Sequence, residues 1–277
     1  MEFAPDPQHG RVFITARVVR STDVTPSGRL RFDAFARYLQ DAAEDDLADA
    51  GWDEPCGWLL RRCEVAVRDY PGFGQRAGLR TFCSATGPRW AERTTTLSGP
   101  AGDLMQARAV WVAVTRPEGR PCPLGAAFHR LYRPSAGGRL VSARLSHPGP
   151  PQDGGGQPWP LRATDIDAAG HVNNSVHWAA VEDILAGLAR PPAAAELEYH
   201  RAILPGQRPR MVTSNAHDQV GVWLLDGEHR LASARLTFGG KITPRQDRPA
   251  GRPRGPRPAV SSCRRRHQPR AGSHQGG

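Results

Sequence analysis

The chain has few cysteines, no extended apolar run and no basic segment at its N-terminus. Its five cysteines are odd in number and form no CxxC pair, which argues against a disulfide framework and a structural zinc site. No stretch approaches the roughly 18 uncharged apolar residues of a membrane helix. The N-terminal residues MEFAPDPQHG contain acids and prolines where a secretory signal needs basic and then apolar residues. We therefore expect a cytoplasmic protein with reduced thiols, no membrane span, no metal and no cofactor.

The body of the chain also has little net charge. The formal net charge is +10 at pH 7, but residues 241–277 hold ten Lys and Arg residues against the single acid Asp247. This basic tail is rich in Pro, Gly and Arg and has little apolar surface to bury, which predicts disorder. Nucleic-acid binding through the tail is one possible function, although no aromatic residue lies between its arginines to stack on bases.

An internal repeat organises the remaining residues. Residues 20–32 (RSTDVTPSGRLRF) and 162–174 (RATDIDAAGHVNN) share Arg, Thr, Asp and Gly at a constant offset of 142 positions. Further along, the tripeptide Gly-Gln-Arg at 74–76 recurs at 206–208, and a third short match follows in the same order. Ordered matches of this kind indicate two copies of one module, each of about 120 residues.

Each copy shows the same order of elements. Apolar residues at helical spacing predict a helix from Phe32 to a stop at Gly51, and a second helix from about Asn174 to a stop at Pro191. Several β-rich stretches follow each helix. This order is that of a hotdog fold, so we predict an α+β tandem (double) hotdog, each copy a long helix wrapped by an antiparallel sheet. The predicted domains are an N-terminal hotdog without an intact active-site motif (1–140), a linker (141–160), a C-terminal hotdog with the active-site loop (161–240) and the tail (241–277).

Reactive side chains concentrate in the loop before the second helix. They are Asp165, Asp167, His171, Asn173 and Asn174. The first turn of a helix offers unpaired backbone N–H groups, and such donors stabilise a developing oxyanion. A carboxylate such as Asp167, four residues before His171, could activate or orient a water molecule beside them.

Structural roles account for part of this set. Asn174 at a helix start is most simply an N-cap, and Gly170 is expected at a backbone position with positive φ. Asp165 has an equivalent in the first copy, Asp23, so both aspartates are expected to hold their loops in place.

The two copies differ where chemistry is expected. Asp167, His171 and Asn173 of the second copy stand where the first copy has Thr25, Arg29 and Arg31. The shared residues are expected to build the loop, and the differing residues to carry out the reaction. The difference between the copies therefore predicts a single active site, located in the second copy.

The segment from Asp165 to Asn174 resembles the HVNN-containing active-site segment of the acyl-[acyl-carrier-protein] thioesterases, a double-hotdog family of plants and bacteria. Residues 37–43 and 90–93 are similar to the family's first hotdog, so the resemblance covers about residues 9–240. It implies hydrolysis of a fatty acyl thioester to free fatty acid, with acyl carrier protein or acyl-CoA as partner; a homodimer is left open. We expect Asp167, His171 and Asn173 to be catalytic, and Asn174 and Gly170 to bind substrate.

The chain departs from the family pattern at two places. The family's D-x-N-x-H pattern has Asn at the position of Ala169 in this chain. Further along, the family has a Glu-Cys pair at the positions of Ala202 and Ile203. A nucleophilic cysteine is therefore excluded at that position. Two alternatives on the same fold stay open, a non-hydrolytic acyl-thioester binder and an enoyl-thioester hydratase.

Overall fold

The computed structural model describes residues 2–152 and 155–239, and its ten described strands form one antiparallel sheet. The strands are β1 (Phe13–Val18), β2 (Gly57–Val67), β3 (Arg76–Thr86), β4 (Trp90–Gly99), β5 (Gly102–Val114), β6 (Gln157–Pro158), β7 (Ala194–Tyr199), β8 (Arg210–Ala216), β9 (Gln219–Asp226) and β10 (His229–Thr237). Their order across the sheet is β1-β3-β4-β5-β2-β7-β10-β9-β8-β6. Strands of the first repeat thus fill one half of the sheet, and strands of the second repeat the other.

Two long helices pack against one face of this sheet. The described helices are α1 (Phe32–Asp49), α2 (Ala126–Leu131), α3 (Arg133–Ala136) and α4 (Val176–Ala186). Helices α1 and α4 contact each other, and the rings of Phe32 and Trp178 stack with their centroids 5.5 Å apart. The buried residues of both helices belong to one hydrophobic core. The predicted tandem hotdog is therefore confirmed.

Pairing of β2 with β7 joins the two repeats. In this register Cys63 lies opposite Leu197, and Glu64 lies opposite Glu196. Because side chains alternate between the faces of a strand, Cys63 and Leu197 enter the core beneath the helices. The two glutamates point to the opposite, outer face. The junction is thus apolar on the helix side and charged on the outer side.

The loops before α1 and α4 have the same backbone hydrogen bonds. The backbone N–H of Arg20 donates to the Asp23 carboxylate at 2.9 Å, and that of Arg162 donates to Asp165 at 2.8 Å. Both aspartates are buried. They hold their loops in place, as the sequence comparison predicted.

Glycine sits at the same turn of each loop. Gly28 and Gly170 have φ values of 86° and 80°, a region that L-residues with a Cβ rarely adopt. Their N–H groups donate to the carbonyls of Thr25 and Asp167 at 2.8 and 3.0 Å. The positive φ predicted for Gly170 is confirmed, and the two loops are built alike.

The start of the second helix differs from the prediction. The helix begins at Val176 rather than near Asn174, and Ser175 precedes its first residue. The predicted cap at Asn174 is wrong, because the oxygen that accepts the Ser175 N–H belongs to the side chain of Asn173, at 2.9 Å. The helix ends at Ala186, before the prolines.

Residues 141–148, which we call the strap, cross the outer face of the sheet. Arg62 of β2 donates to the carbonyl of Arg144 at 3.1 Å, and Trp223 of β9 donates to that of Pro148 at 3.0 Å. The strap therefore spans both halves of the sheet.

The domain boundaries at 140 and 160 stay a prediction, and the basic tail lies outside the described residues. None of the described helices is long and apolar enough to cross a membrane.

A buried carboxylate on α1 offers a test of the packing. Asp46 accepts hydrogen bonds from Arg11 at 2.6 Å and Arg93 at 2.7 Å, and its side chain is 2% exposed. Removing one partner from a buried ion pair leaves the other charges uncompensated and typically costs about 3–5 kcal/mol. We expect Asp46→Ala to lower the free energy of unfolding by that amount in urea denaturation. Asp49→Ala is the control, since Asp49 binds the same Arg11 but is 60% exposed; its cost should stay below about 1 kcal/mol. Equal losses would contradict this account of the core.

Candidate active site

A cavity of about 340 Å³ lies between α1 and the loop of the second repeat. The second repeat contributes Asp167, Ala169, His171 and Asn174 to its wall. All other lining residues come from the first repeat: Gln40, Ala43, Glu44, Leu47, Trp58, Cys83, Ala91, Glu92, Arg93, Trp111, Arg116, Phe128 and Tyr132. The predicted catalytic loop of one repeat thus closes a cavity built by the other.

Two donors orient the Asp167 carboxylate. The backbone N–H of Ala169 donates to Oδ1 at 2.9 Å, and the side-chain amide of Asn173 donates to Oδ2 at 3.2 Å. Asn173 is not part of the cavity wall, and its side-chain oxygen accepts a hydrogen bond from the N–H of Ser175, the residue before α4. One side chain therefore links the carboxylate to the start of the helix.

His171 lies beside the same carboxylate. Its Nδ1 is 3.6 Å from Asp167 Oδ1 and 3.3 Å from the carbonyl oxygen of Val172. The ring is partly exposed and lines the cavity. Asp167 and His171 therefore reach the cavity together, as the sequence predicted.

The two predicted substrate-binding residues differ in position. Asn174 lines the cavity, and its carbonyl accepts a hydrogen bond from the hydroxyl of Tyr199 at 3.1 Å. Gly170 is absent from the wall of this cavity and serves the turn of the loop. Its contact with substrate stays a prediction.

The thiol in the cavity is poorly suited to act as a nucleophile. Burial raises the pKa of Cys83 to about 12, although the positive charge of Arg93 opposes this shift. A thiol with that pKa is almost fully protonated near neutral pH, and the thiolate is the reactive form. The carboxylate of Asp167 and the imidazole of His171 are suited to acid–base chemistry, as is the carboxyl of Glu44 in the same wall, whose pKa is raised by burial.

The equivalent place in the other repeat is occupied by an ion pair. Arg29, at the position of His171, donates two hydrogen bonds to the Glu182 carboxylate of α4, at 3.1 and 2.6 Å. The backbone N–H of Phe32 donates to the same carboxylate at 2.7 Å. A wider cavity of about 910 Å³ lies here, but these paired charges are part of its wall. The first repeat therefore keeps the loop and replaces its reactive residues.

One cluster outside the cavity has the residue types of a metal site. His147 of the strap lies with Glu196 and Glu198 of β7 in a group whose candidate ligand atoms are all within 4.8 Å. Arg235 already donates to Glu196 at 2.6 Å, and the N–H of Ser146 donates to Glu198 at 2.5 Å. Burial alone would raise the pKa of Glu198, but hydrogen bonds from His200 and the strap backbone lower it to about 2. These carboxylates are thus occupied in holding the strap.

Sequence reasoning missed the residues that the first repeat supplies to the cavity, above all Gln40, Glu44 and Arg116. None of them lies in a recognisable motif of reactive residues. The internal repeat carried the signal that could have found them, because paired hotdogs place the helix of one copy against the loop of the other.

The hotdog sheet places an aspartate and a histidine in the wall of a largely apolar cavity, an arrangement suited to thioester-processing proteins. Family models narrow this class: the acyl-ACP thioesterase N-terminal domain matches residues 10–132, and the acyl-ACP thioesterase C-terminal domain matches residues 151–238. The chain belongs to the acyl-ACP thioesterase family. Hydrolysis of a fatty acyl thioester, predicted from the loop, is confirmed as its activity class.

The chain is also similar to a curated protein and to solved structures. An uncharacterized protein of Mycobacterium tuberculosis is 30% identical over 217 residues, which cover 77% of this chain and 86% of that protein. The 12:0-ACP thioesterase from Umbellularia californica has a TM-score of 0.68 at 20% identity, covering 86% of this chain and 99% of that structure. An acyl-ACP thioesterase from Bacteroides thetaiotaomicron has the same score at 16% identity, covering 82% and 97%. The two structures support the fold.

Next to the site, helix α4 contains a buried histidine that stays neutral. His177 of α4 is buried against the ring of Tyr199, and burial lowers its pKa to about 4, outweighing the hydrogen bond to the carbonyl of Asn173. Between pH 6.5 and 4 the unfolded chain binds a proton there that the folded protein excludes, so stability falls as the pH drops through this window. The first repeat has Phe35 at the equivalent position. We expect His177→Phe to lose less stability than the unaltered protein between pH 7 and pH 5, as measured by urea unfolding. Identical pH dependence in both proteins would refute the assignment.

Proposed function

We propose that Asp167 is the general base of the hydrolysis and that His171, in the same cavity wall, stabilises the oxyanion. The observation that carries this proposal is the orientation of the Asp167 carboxylate, held by Asn173 and by a backbone N–H at the mouth of the cavity. A held carboxylate can accept a proton from a water without reorganising, which is worth about 10²–10⁴-fold in rate.

The reaction balances with these groups alone. The oxygen of a water forms a bond to the thioester carbonyl carbon while Asp167 takes one of its protons. Negative charge develops on the carbonyl oxygen, where a preorganised donor is worth roughly 3 kcal/mol. Collapse of this intermediate breaks the carbon–sulfur bond, and the proton held by Asp167 passes to the departing thiolate. The products are a free fatty acid and the thiol of the carrier.

The equivalent loop of the first repeat supports a single active site. Thr25, at the position of Asp167, cannot act as a base, and Arg29, at the position of His171, is neutralised by Glu182. Since the backbone of the two loops is alike, the difference lies in the side chains. We therefore place catalysis in the second repeat only.

We assign the acyl chain to the part of the cavity formed by the first repeat. Its wall there includes Leu47, Trp58, Trp111 and Phe128. These side chains present apolar surface, and burying an acyl chain against such surface is favourable by about 25 cal/mol per Å². This assignment sets the acyl chain and the catalytic loop on different repeats.

We propose an acyl carrier protein as the partner that delivers the chain. Acyl carrier proteins are acidic, and Arg116 is exposed at the wall of the cavity. Among the described residues no ion pair engages Arg116, whereas Arg93 in the same wall is bound to Asp46. An unpaired cation at the entrance suits an anionic partner.

The cytoplasm remains the predicted compartment, supported by the four free cysteines among the described residues, and the homodimer remains a prediction.

The matched pair Asp167→Asn and Thr25→Ala tests the proposed base. Asp167→Asn keeps the size of the side chain and removes the base, so kcat should fall by about 10²–10⁴-fold with little change in KM. Thr25→Ala alters the same place in the first repeat, where no base is expected, and should change kcat little. Release of free thiol from acyl-carrier thioesters is the measurement. Full activity in Asp167→Asn, or equal losses in both variants, would place the chemistry elsewhere, and thioester binding without thiol release would favour the non-hydrolytic alternative.

Charge reversal at the entrance tests the proposed carrier. We expect Arg116→Glu to raise KM for acyl-carrier substrate roughly tenfold, and to weaken its salt dependence, because entrance charges steer association. A short acyl thioester without the protein carrier should be affected far less. Arg76→Glu, an exposed arginine outside this cavity wall, is the control. A similar rise in KM for both substrates would contradict docking at this entrance.

A further inference from the structure

Gln40 and Glu182 occupy equivalent positions on the two long helices. They are 142 residues apart, the offset that relates the two loops. Each side chain extends from its helix toward the loop of the other repeat: Glu182 bonds to Arg29, and Gln40 lines the cavity with His171. The helix of each repeat therefore presents one polar group to the loop of the other.

The two groups differ in how they are satisfied. Both oxygens of Glu182 accept hydrogen bonds from Arg29. The Oε1 atom of Gln40 is buried, and no described residue donates a hydrogen bond to it. An unsatisfied buried acceptor costs about 1–3 kcal/mol. A side chain that bears this cost in the wall of an active site is suited to accept a hydrogen bond from a molecule that enters the cavity.

We propose that Gln40 is a catalytic residue, whose Oε1 accepts one O–H of the attacking water while Asp167 accepts the other. The inference rests on the proposed role of Asp167. A water has two protons, and two acceptors in the wall of one cavity can hold both of them and direct the lone pair of the water at the carbonyl carbon. Asp167 removes the water proton that is hydrogen-bonded to it. The water proton bonded to Gln40 stays on the oxygen that becomes part of the new carboxyl group. Gln40 thus orients the water and takes up no charge.

An amide fits this role better than a carboxylate. A glutamate at position 40 would place a further negative charge in a cavity whose wall already contains Asp167 and Glu44. It would also be free to pair with His171, as Glu182 pairs with Arg29. The amide supplies the acceptor oxygen without either effect.

Replacement of the acceptor by a thioether of similar length tests the proposal. Gln40→Met should lower kcat for hydrolysis by about 10²-fold, since misplacing a reacting group by about an ångström costs that much, with KM and Tm near those of the unaltered enzyme. Hydroxylamine attacks through a nitrogen lone pair and needs no such orientation. Its rate with the acyl thioester should therefore change less than about threefold. Gln106→Met, which alters a glutamine of β5 that bonds to Thr96 outside the cavity, is the control and should leave both rates unchanged.

A second variant covers the case in which Gln40→Met unfolds. Gln40→Glu should lose activity as the pH rises, because the neutral acid keeps the acceptor oxygen whereas the carboxylate faces Asp167 and Glu44 and pairs with His171. Unchanged hydrolysis in Gln40→Met, or equal losses toward water and hydroxylamine, would overturn the role of Gln40 while leaving that of Asp167 intact. Absence of hydrolysis by the unaltered enzyme would instead overturn the proposed function, and this inference with it.

Discussion

The pairing of β2 with β7 is the contact on which the rest of the structure depends. It turns two half-sheets into one, and it sets α1 and α4 side by side on the same face. Only in this arrangement does the helix of one repeat face the loop of the other. The cavity, the Asp167 carboxylate at its mouth and the apolar wall from the first repeat all follow from that single antiparallel junction.

Duplication then allowed the two sites to diverge on an unchanged backbone. Both loops retain a buried aspartate and a glycine with positive φ. One site carries His171 opposite Gln40, and the other carries Arg29 bonded to Glu182. A bidentate arginine–carboxylate pair is among the stronger polar contacts in proteins, so the loop of the first repeat has a structural link to α4 where the loop of the second repeat has His171.

Local patterns were sufficient to predict much of this. Helical spacing located α1, and the constant offset between the loops located Asp167, His171 and the structural roles of Asp165 and Gly170. The cap was misplaced because the helix begins two residues later than its apolar spacing predicts, which puts Ser175 rather than Asn174 at the N-cap position. Gln40 and Arg116 could not be found locally, since their proximity to the loop depends on sheet pairing across more than a hundred residues.

The central claim is that the protein has one active site and that both repeats build it. The most direct measurement is a crystal structure with an acyl-pantetheine ketone, in which a methylene replaces the thioester sulfur and blocks cleavage. We expect the ketone oxygen beside His171 and the acyl chain among Leu47, Trp58 and Phe128. An analogue bound instead in the cavity beside Arg29 and Glu182 would contradict the claim.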